Sequence, residues 1–182
     1  DWEQLDAETI QAIIMAPREA GAQFTAFLRN GGRLVVGGKL TIDRSKPFDP
    51  VAFIGEKGWK IAEQNERALK LTEVDLSAVM LKHMLEDGEP PVVGEERQKR
   101  LKAAGYIRLD ARVFETLWNN QHLIPESWKG KSVFFEGTVL VSPSGDRYVL
   151  YIFSTGKQWN WDYYCLNDHW YGNNPSAVLA AP

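Results

Sequence analysis

Cys165 and His169 stand four residues apart, with Asp168 next to the histidine. A thiol, an imidazole and a carboxylate are the parts of a nucleophile, a base and a group that orients the base. Spacing along the chain does not by itself build that geometry, and no glycine motif of the oxyanion type accompanies the three. The same segment carries oxygen donors at Asn160, Asp162, Asn167 and Asp168, the ligand type calcium prefers. Their spacing follows no loop with a fixed ligand order, and zinc would need more than one Cys and one His. No catalytic residue, metal ligand or cofactor is therefore assigned.

These residues belong to a tract, Ser154 to Asn174, that is dense in Trp, Tyr and Asn. Neither helical periodicity nor steady strand alternation fits it, so the tract is expected to be a long irregular segment, a feature usually tied to function. Tyr and Trp offer contact area with few rotatable bonds, and Asn, Ser and Gly adapt their hydrogen bonds, which is the composition of binding loops. Three of the seven Trp residues, Trp159, Trp161 and Trp170, fall inside it. They are expected to anchor the segment to the core.

The rest of the composition narrows the class. With 182 residues the chain can bury a real core, and 44% apolar with 25% charged residues excludes disorder. A net charge of −3, with both signs interspersed, gives no footprint for nucleic acid or an anionic membrane. No apolar run reaches the length of a membrane span. The N-terminal Asp1-Trp2-Glu3-Gln4 shows no signal-peptide pattern, which leaves the compartment open. Cys165 is the single cysteine, so the fold rests on packing rather than an internal disulfide.

The elements that must position the tract read as α+β. Helices are expected over Ala7–Met15, capped by Asp6, and from Pro17 to Gly31-Gly32. Strand is expected from Arg33 to Asp43, and a hairpin from Val51–Ile54 and Trp59–Ala62 around Lys57-Gly58. Val74–Leu85 is ambiguous, with His83 read as a satisfied, half-buried side chain. Glu95–Ala104 is expected to be a helix with Arg97, Lys99, Arg100 and Lys102 on a solvated face. A short strand over Tyr106–Leu109 should lead to Asp110, which caps a helix over Ala111–Asn119. Ser132–Val141 and Arg147–Phe153 alternate as a hairpin joined by Ser142-Pro143-Ser144-Gly145-Asp146, and feed straight into the tract. No linker or repeat divides the chain, so residues 1–182 are expected to form one domain.

With Trp159-Asn-Trp161, Asn167-Asp-His-Trp170 and the close Asn174-Pro-Ser-Ala-Val-Leu-Ala180, the segment resembles the variable proteins of diversity-generating retroelements, chiefly those of archaea and their small-genome bacterial counterparts. The resemblance implies a C-type lectin fold whose C-terminal segment is rewritten by adenine-directed reverse transcription. Randomising the adenines of Asn codons never yields Trp, Lys, Gln, Glu or Met, whereas Trp codons contain no adenine and stay fixed. From Trp159 to Asn174 there is indeed no Lys, Gln, Glu or Met. The resemblance thus makes Trp159, Trp161 and Trp170 scaffold. Ser154, Thr155, Asp162, Tyr163, Tyr164, Cys165, Asn167, Asp168, His169, Tyr171, Gly172 and Asn173 become the displayed, exchangeable contacts, with Phe153 and Asn160 at the border.

The likeness runs from Leu109 onward, and residues 1–105 carry no motif of the family. Two marks of its better-known bacterial and phage members, a Gly-Gly-Ser-Trp run and a terminal Gly-Phe-Arg, are missing. The expected function is a non-enzymatic, receptor-type binding protein with a hypervariable surface. Its partner would be a protein or glycan on another cell or virus, which suggests surface display. The alternatives are a fixed-specificity, calcium-dependent carbohydrate-binding module and a hydrolase using Cys165 and His169. A lectin fold alone does not imply sugar binding, and the Glu-Pro-Asn and Gln-Pro-Asp motifs are absent.

Overall fold

The computed structural model describes residues 38–156 and 158–181. The two helices expected before Gly31, and the part of the expected strand before residue 38, lie outside the described residues. Along the chain run β1 (Lys39–Thr41), α1 (Pro50–Ile54), β2 (Lys60–Gln64), β3 (Glu73–Asp75), β4 (Met80–Lys82), β5 (Val92–Val93), α2 (Gly94–Ala103), β6 (Ile107–Arg108), α3 (Ala111–Asn119), β7 (Val133–Val141), β8 (Arg147–Thr155), β9 (Gln158–Cys165), β10 (His169–Trp170) and β11 (Ser176–Leu179). The architecture is mixed α+β.

The main sheet has the order β4-β11-β7-β8-β9, with β2 also pairing with β7 and β6 with β11. Strands β7, β8 and β9 form an antiparallel meander, and β11 returns beside β7. Separate two-stranded ladders join β1 to β3 and β5 to β10. Helix α3 starts as its sequence requires: the Asp110 carboxylate accepts the amides of Arg112 and Val113. Asp110 is itself held by Arg44, whose Nη1 lies 2.7 Å from its Oδ2. Phe114 of this helix meets Phe135 edge-on at 5.2 Å, which places α3 against the inner face of the sheet.

Two expected elements come out differently. Val51–Ile54 is helical, not strand: Asp49 accepts the amides of Val51 and Ala52, and Pro50 sits in the first turn, where its missing N–H costs nothing. Strand β7 is not half-exposed, since eight of its nine residues are buried. It is covered on both faces, and its register with β8 shifts between Phe135 and Leu140. Within that irregularity Gly137 donates its N–H to Leu109 O at 2.8 Å and accepts Asn65 N at 2.7 Å. A Cβ at Gly137 would lie 2.7 Å from the carbonyl carbon of Leu109, and backbone cannot yield as a side chain can. Gly137→Ala should therefore lose about 1–3 kcal/mol, read as a lower urea midpoint at unchanged slope.

Helix α2 also departs from its expected character. Lys99 and Arg100 pair with Glu96, Arg100 with Glu89, and Lys102 with Glu63. These cations are neutralised within the chain, but Arg97 is no surface residue at all, being 1% exposed. His83 is exposed rather than half-buried, and its Nδ1 accepts the amide of Leu85.

Candidate functional site

The first half of the aromatic tract is a regular strand rather than an irregular segment. All eight residues of β9 pair with β8 without a break, from Thr155↔Gln158 to Tyr148↔Cys165. Side chains opposite each other in a ladder share a face. Ser154, Ile152, Leu150 and Tyr148 therefore share the inner face with Trp159, Trp161, Tyr163 and Cys165. Thr155, Phe153, Tyr151 and Val149 share the outer face with Gln158, Asn160, Asp162 and Tyr164.

The inner face belongs to the core. Trp161 lies 4.7 Å from Phe53 of α1 and 6.2 Å from Phe114 of α3, ring centre to ring centre. Trp159 packs against the same cluster from the rim. Tyr163 lies 4.9 Å from Trp59 and 5.3 Å from Tyr148. Ser154, Tyr163 and Cys165 were expected among the displayed positions. Strand alternation instead turns them inward, half-buried, and Ser154 Oγ accepts the amide of Gly130. Tyr163→Ala should then cost about 1–3 kcal/mol, a fraction of the loss at a fully buried aromatic, whereas Asn167→Ala should stay within about 0.5 kcal/mol. Thermal unfolding of the two variants side by side checks this.

Beyond Cys165 the chain leaves the sheet, and there the backbone is clamped. Leu166 is buried, and its N–H reaches Arg147 O at 2.8 Å. The first amides of α2 hold the turn: Gly94 N donates to Asp168 O at 3.1 Å and Glu95 N to Leu166 O at 3.0 Å. Trp170 is fully buried, and its Nε1 donates to Cys165 O at 3.2 Å. Gly94 lies directly against that ring, so a Cβ there would come within 2.9 Å of Cε2. Further on, Ser132 N donates to Asn173 O and Arg97 donates to Asn174 O.

Arg97 is the keystone of this clamp, and the sequence reading missed it. Its guanidinium donates to Glu136 Oε1 and, at 2.9 Å, to Ser176 Oγ, and its Cζ lies 3.9 Å from the centre of the Trp170 ring. Burial pulls its pKa below the ordinary value, and the charge and hydrogen bond of Glu136 oppose that fall. Glu136 and Ser176 are each 0% exposed. The available signal was Glu136 itself, a charge set among the apolar residues of β7.

The side chains above this clamp are treated in the opposite way. Asn167, Asp168, His169, Tyr171, Gly172 and Asn173 are all exposed. The side chains of Asn167, Asp168, His169, Tyr171 and Asn173 make no hydrogen bond or ion pair with another described residue. On the outer face of β9, Asp162 is exposed, while Tyr164 is half-buried against Trp170 at 5.4 Å. No family model, curated protein or solved structure matches this chain.

Cys165 turns inward opposite Tyr148, while His169 is exposed on β10 opposite Val93, and no hydrogen bond joins the two. Asn160 spends its amide on Thr155 Oγ1 at 2.8 Å, and Asp162 accepts the amide of Tyr163. Among the described residues no group of three or more His, Cys, Asp and Glu side chains is placed to hold a metal ion. No described helix is long and apolar enough to cross a membrane.

Proposed function

We propose that this chain is a non-enzymatic, receptor-type binding protein with a C-type lectin-like domain. Its ligand surface is the loop from Asn167 to Asn173 with the outward positions of β9, and a retroelement diversifies that surface. One observation carries the reading: the loop backbone is held by hydrogen bonds to α2, β5 and Ser132, yet apart from Trp170 its side chains make no hydrogen bond or ion pair among the described residues. A binding loop gains affinity from such preorganisation, because little conformational freedom remains to be lost on association. Side chains that support nothing inside the fold can be exchanged at little cost to it. The buried Trp170 and inward Trp159 and Trp161 fit the fixed class, and β11 closing beside β7 leaves the Asn167–Asn173 loop between the meander and the last strand.

Two experiments test the two parts. A library randomised at Asn167, Asp168, His169, Tyr171, Gly172 and Asn173 should retain a cooperative unfolding transition in most members and yield binders to unrelated protein targets. Widespread unfolding would defeat the idea of an exchangeable surface. In the genome, a near-copy of the DNA for Ser154–Asn174, differing only at template adenines and adjoining a reverse transcriptase, is the expected companion. A locus without one removes the diversification and leaves a fixed binding protein.

A further inference from the structure

The outer face of the β8–β9 ladder carries a second feature, outside the loop. Tyr151 stacks on the buried Phe134 at 4.7 Å and 20°, and Phe153 continues the row at 5.4 Å and 28° from Tyr151. Tyr164 meets Tyr151 edge-on at 6.4 Å. Tyr151 and Phe153 are only half-buried, so the row ends in open aromatic surface. Directly across the ladder, Asp162 faces Tyr151 and Asn160 faces Phe153.

The outward cation of β8 is Arg147, at the end of the strand away from the row, where it pairs with Glu95 and Glu63. Around the row itself Tyr151, Phe153, Thr155, Gln158, Asn160, Asp162 and Tyr164 include no Lys or Arg. The Asp162 carboxylate takes only the amide of its own neighbour Tyr163 and joins no ion pair among the described residues. Asp168, beyond the strand end, likewise joins no ion pair among the described residues. Burial first, and then the charge of Asp162, hold the Tyr151 phenol above its ordinary pKa; burial and Asp168 do the same to Tyr164. Ring faces are negative by their quadrupole, so aromatic row and carboxylate favour a cation together. A neutral sugar would gain from the rings but nothing from the field. Between the two common cations, the planar guanidinium lies flat on a ring while its edge pairs bidentately with a carboxylate, whereas an ammonium offers only a point charge to either.

We infer that the outer face of β8 and β9 is a docking surface for an arginine side chain of a partner polypeptide. The guanidinium would lie over Phe153, at the open end of the row, and pair with Asp162. The inference rests on the binding role proposed above and adds to it a floor from β8 that the exchangeable tract does not include. It makes the site bipartite, with Tyr151 constant and the Asp162 side exchangeable.

The test is an NMR titration of the isotopically labelled full chain with acetyl-Gly-Arg-Gly amide, its citrulline counterpart and methyl glycosides. The arginine peptide should shift the amides of Tyr151, Phe153, Asp162 and Tyr164, with at least tenfold weaker binding for citrulline. Asp162→Asn should weaken the arginine peptide at least threefold at unchanged Tm, and Phe153→Ser should weaken it similarly. Equal binding of citrulline, scattered shifts, or shifts from the glycosides alone would overturn the inference. Since Tyr151 and Phe153 lie outside the randomised loop, that result would leave the loop library to decide the broader reading separately.

Discussion

Arg97→Ala will cost about 3–5 kcal/mol of folding free energy, the loss seen when one partner of a buried ion pair is removed. Urea unfolding of the variant measures it. The size follows from what is left behind rather than from the contact removed. Glu136 is fully buried, and Arg97 and Ser176 both donate to its Oε1, while Oε2 has no partner among the described residues. Without the guanidinium a carboxylate remains in an apolar interior with one hydroxyl for company. The same truncation removes the cation stacked 3.9 Å over Trp170 and the donor to Asn174 O. Replacing Arg97 with Met and Glu136 with Leu together should recover most of the loss, because no charge then stays buried. If the single variant were as stable as the parent, the pair would not be the clamp of the loop. If the double variant were no better than the single, packing rather than uncompensated charge would dominate.

That clamp shows where the sequence could be read and where it could not. Local signals were faithful: Asp110 at the start of α3 and the Ser142–Asp146 turn between β7 and β8 both act on amides and carbonyls within a few residues of themselves. Arg97 failed because its partners, Glu136 and Ser176, lie 39 and 79 residues away. A helix carrying Glu95, Glu96, Lys99, Arg100 and Lys102 looks solvated until a tertiary partner selects one charge for burial. The helix at Pro50 was hidden by an apolar run that suits strand equally well, although Asp49-Pro50 is a cap followed by a first-turn proline. In β9 the alternation of Trp159, Trp161 and Tyr163 with Asn160 and Asp162 was present, but Tyr164 puts an aromatic on the outer face and breaks the pattern. That same irregularity concealed the outward row of Tyr151, Phe153 and Tyr164, since β8 reads as ordinary core strand. Ser154, Tyr163 and Cys165 were misplaced for a related reason: codon logic sorts residue types, whereas the pleat sorts positions.

Trp170→Ala should be the most damaging change within the tract, at about 3–5 kcal/mol, and should exceed Trp161→Ala. Trp170 is wholly buried and meets Phe134 at 4.2 Å, Tyr164 at 5.4 Å and the Arg97 guanidinium. Trp161 is half-buried and leaves part of its ring at the surface. The two losses should also differ in kind. Removing Trp161 opens the inner core beside Phe53 and Phe114 but leaves the loop bonded to α2. Removing Trp170 takes away the ring against which Gly94 is fitted and the donor to Cys165 O, so amide exchange should accelerate from Asn167 through Asn174 well below the global unfolding limit. Because Arg97 lies on this ring, their effects cannot add. The double variant should fall short of the summed single losses by about 0.5–3 kcal/mol, the range for side chains in one network. Strict additivity would mean that ring and guanidinium hold the loop independently, and Arg97 would then stabilise the protein without organising its binding surface.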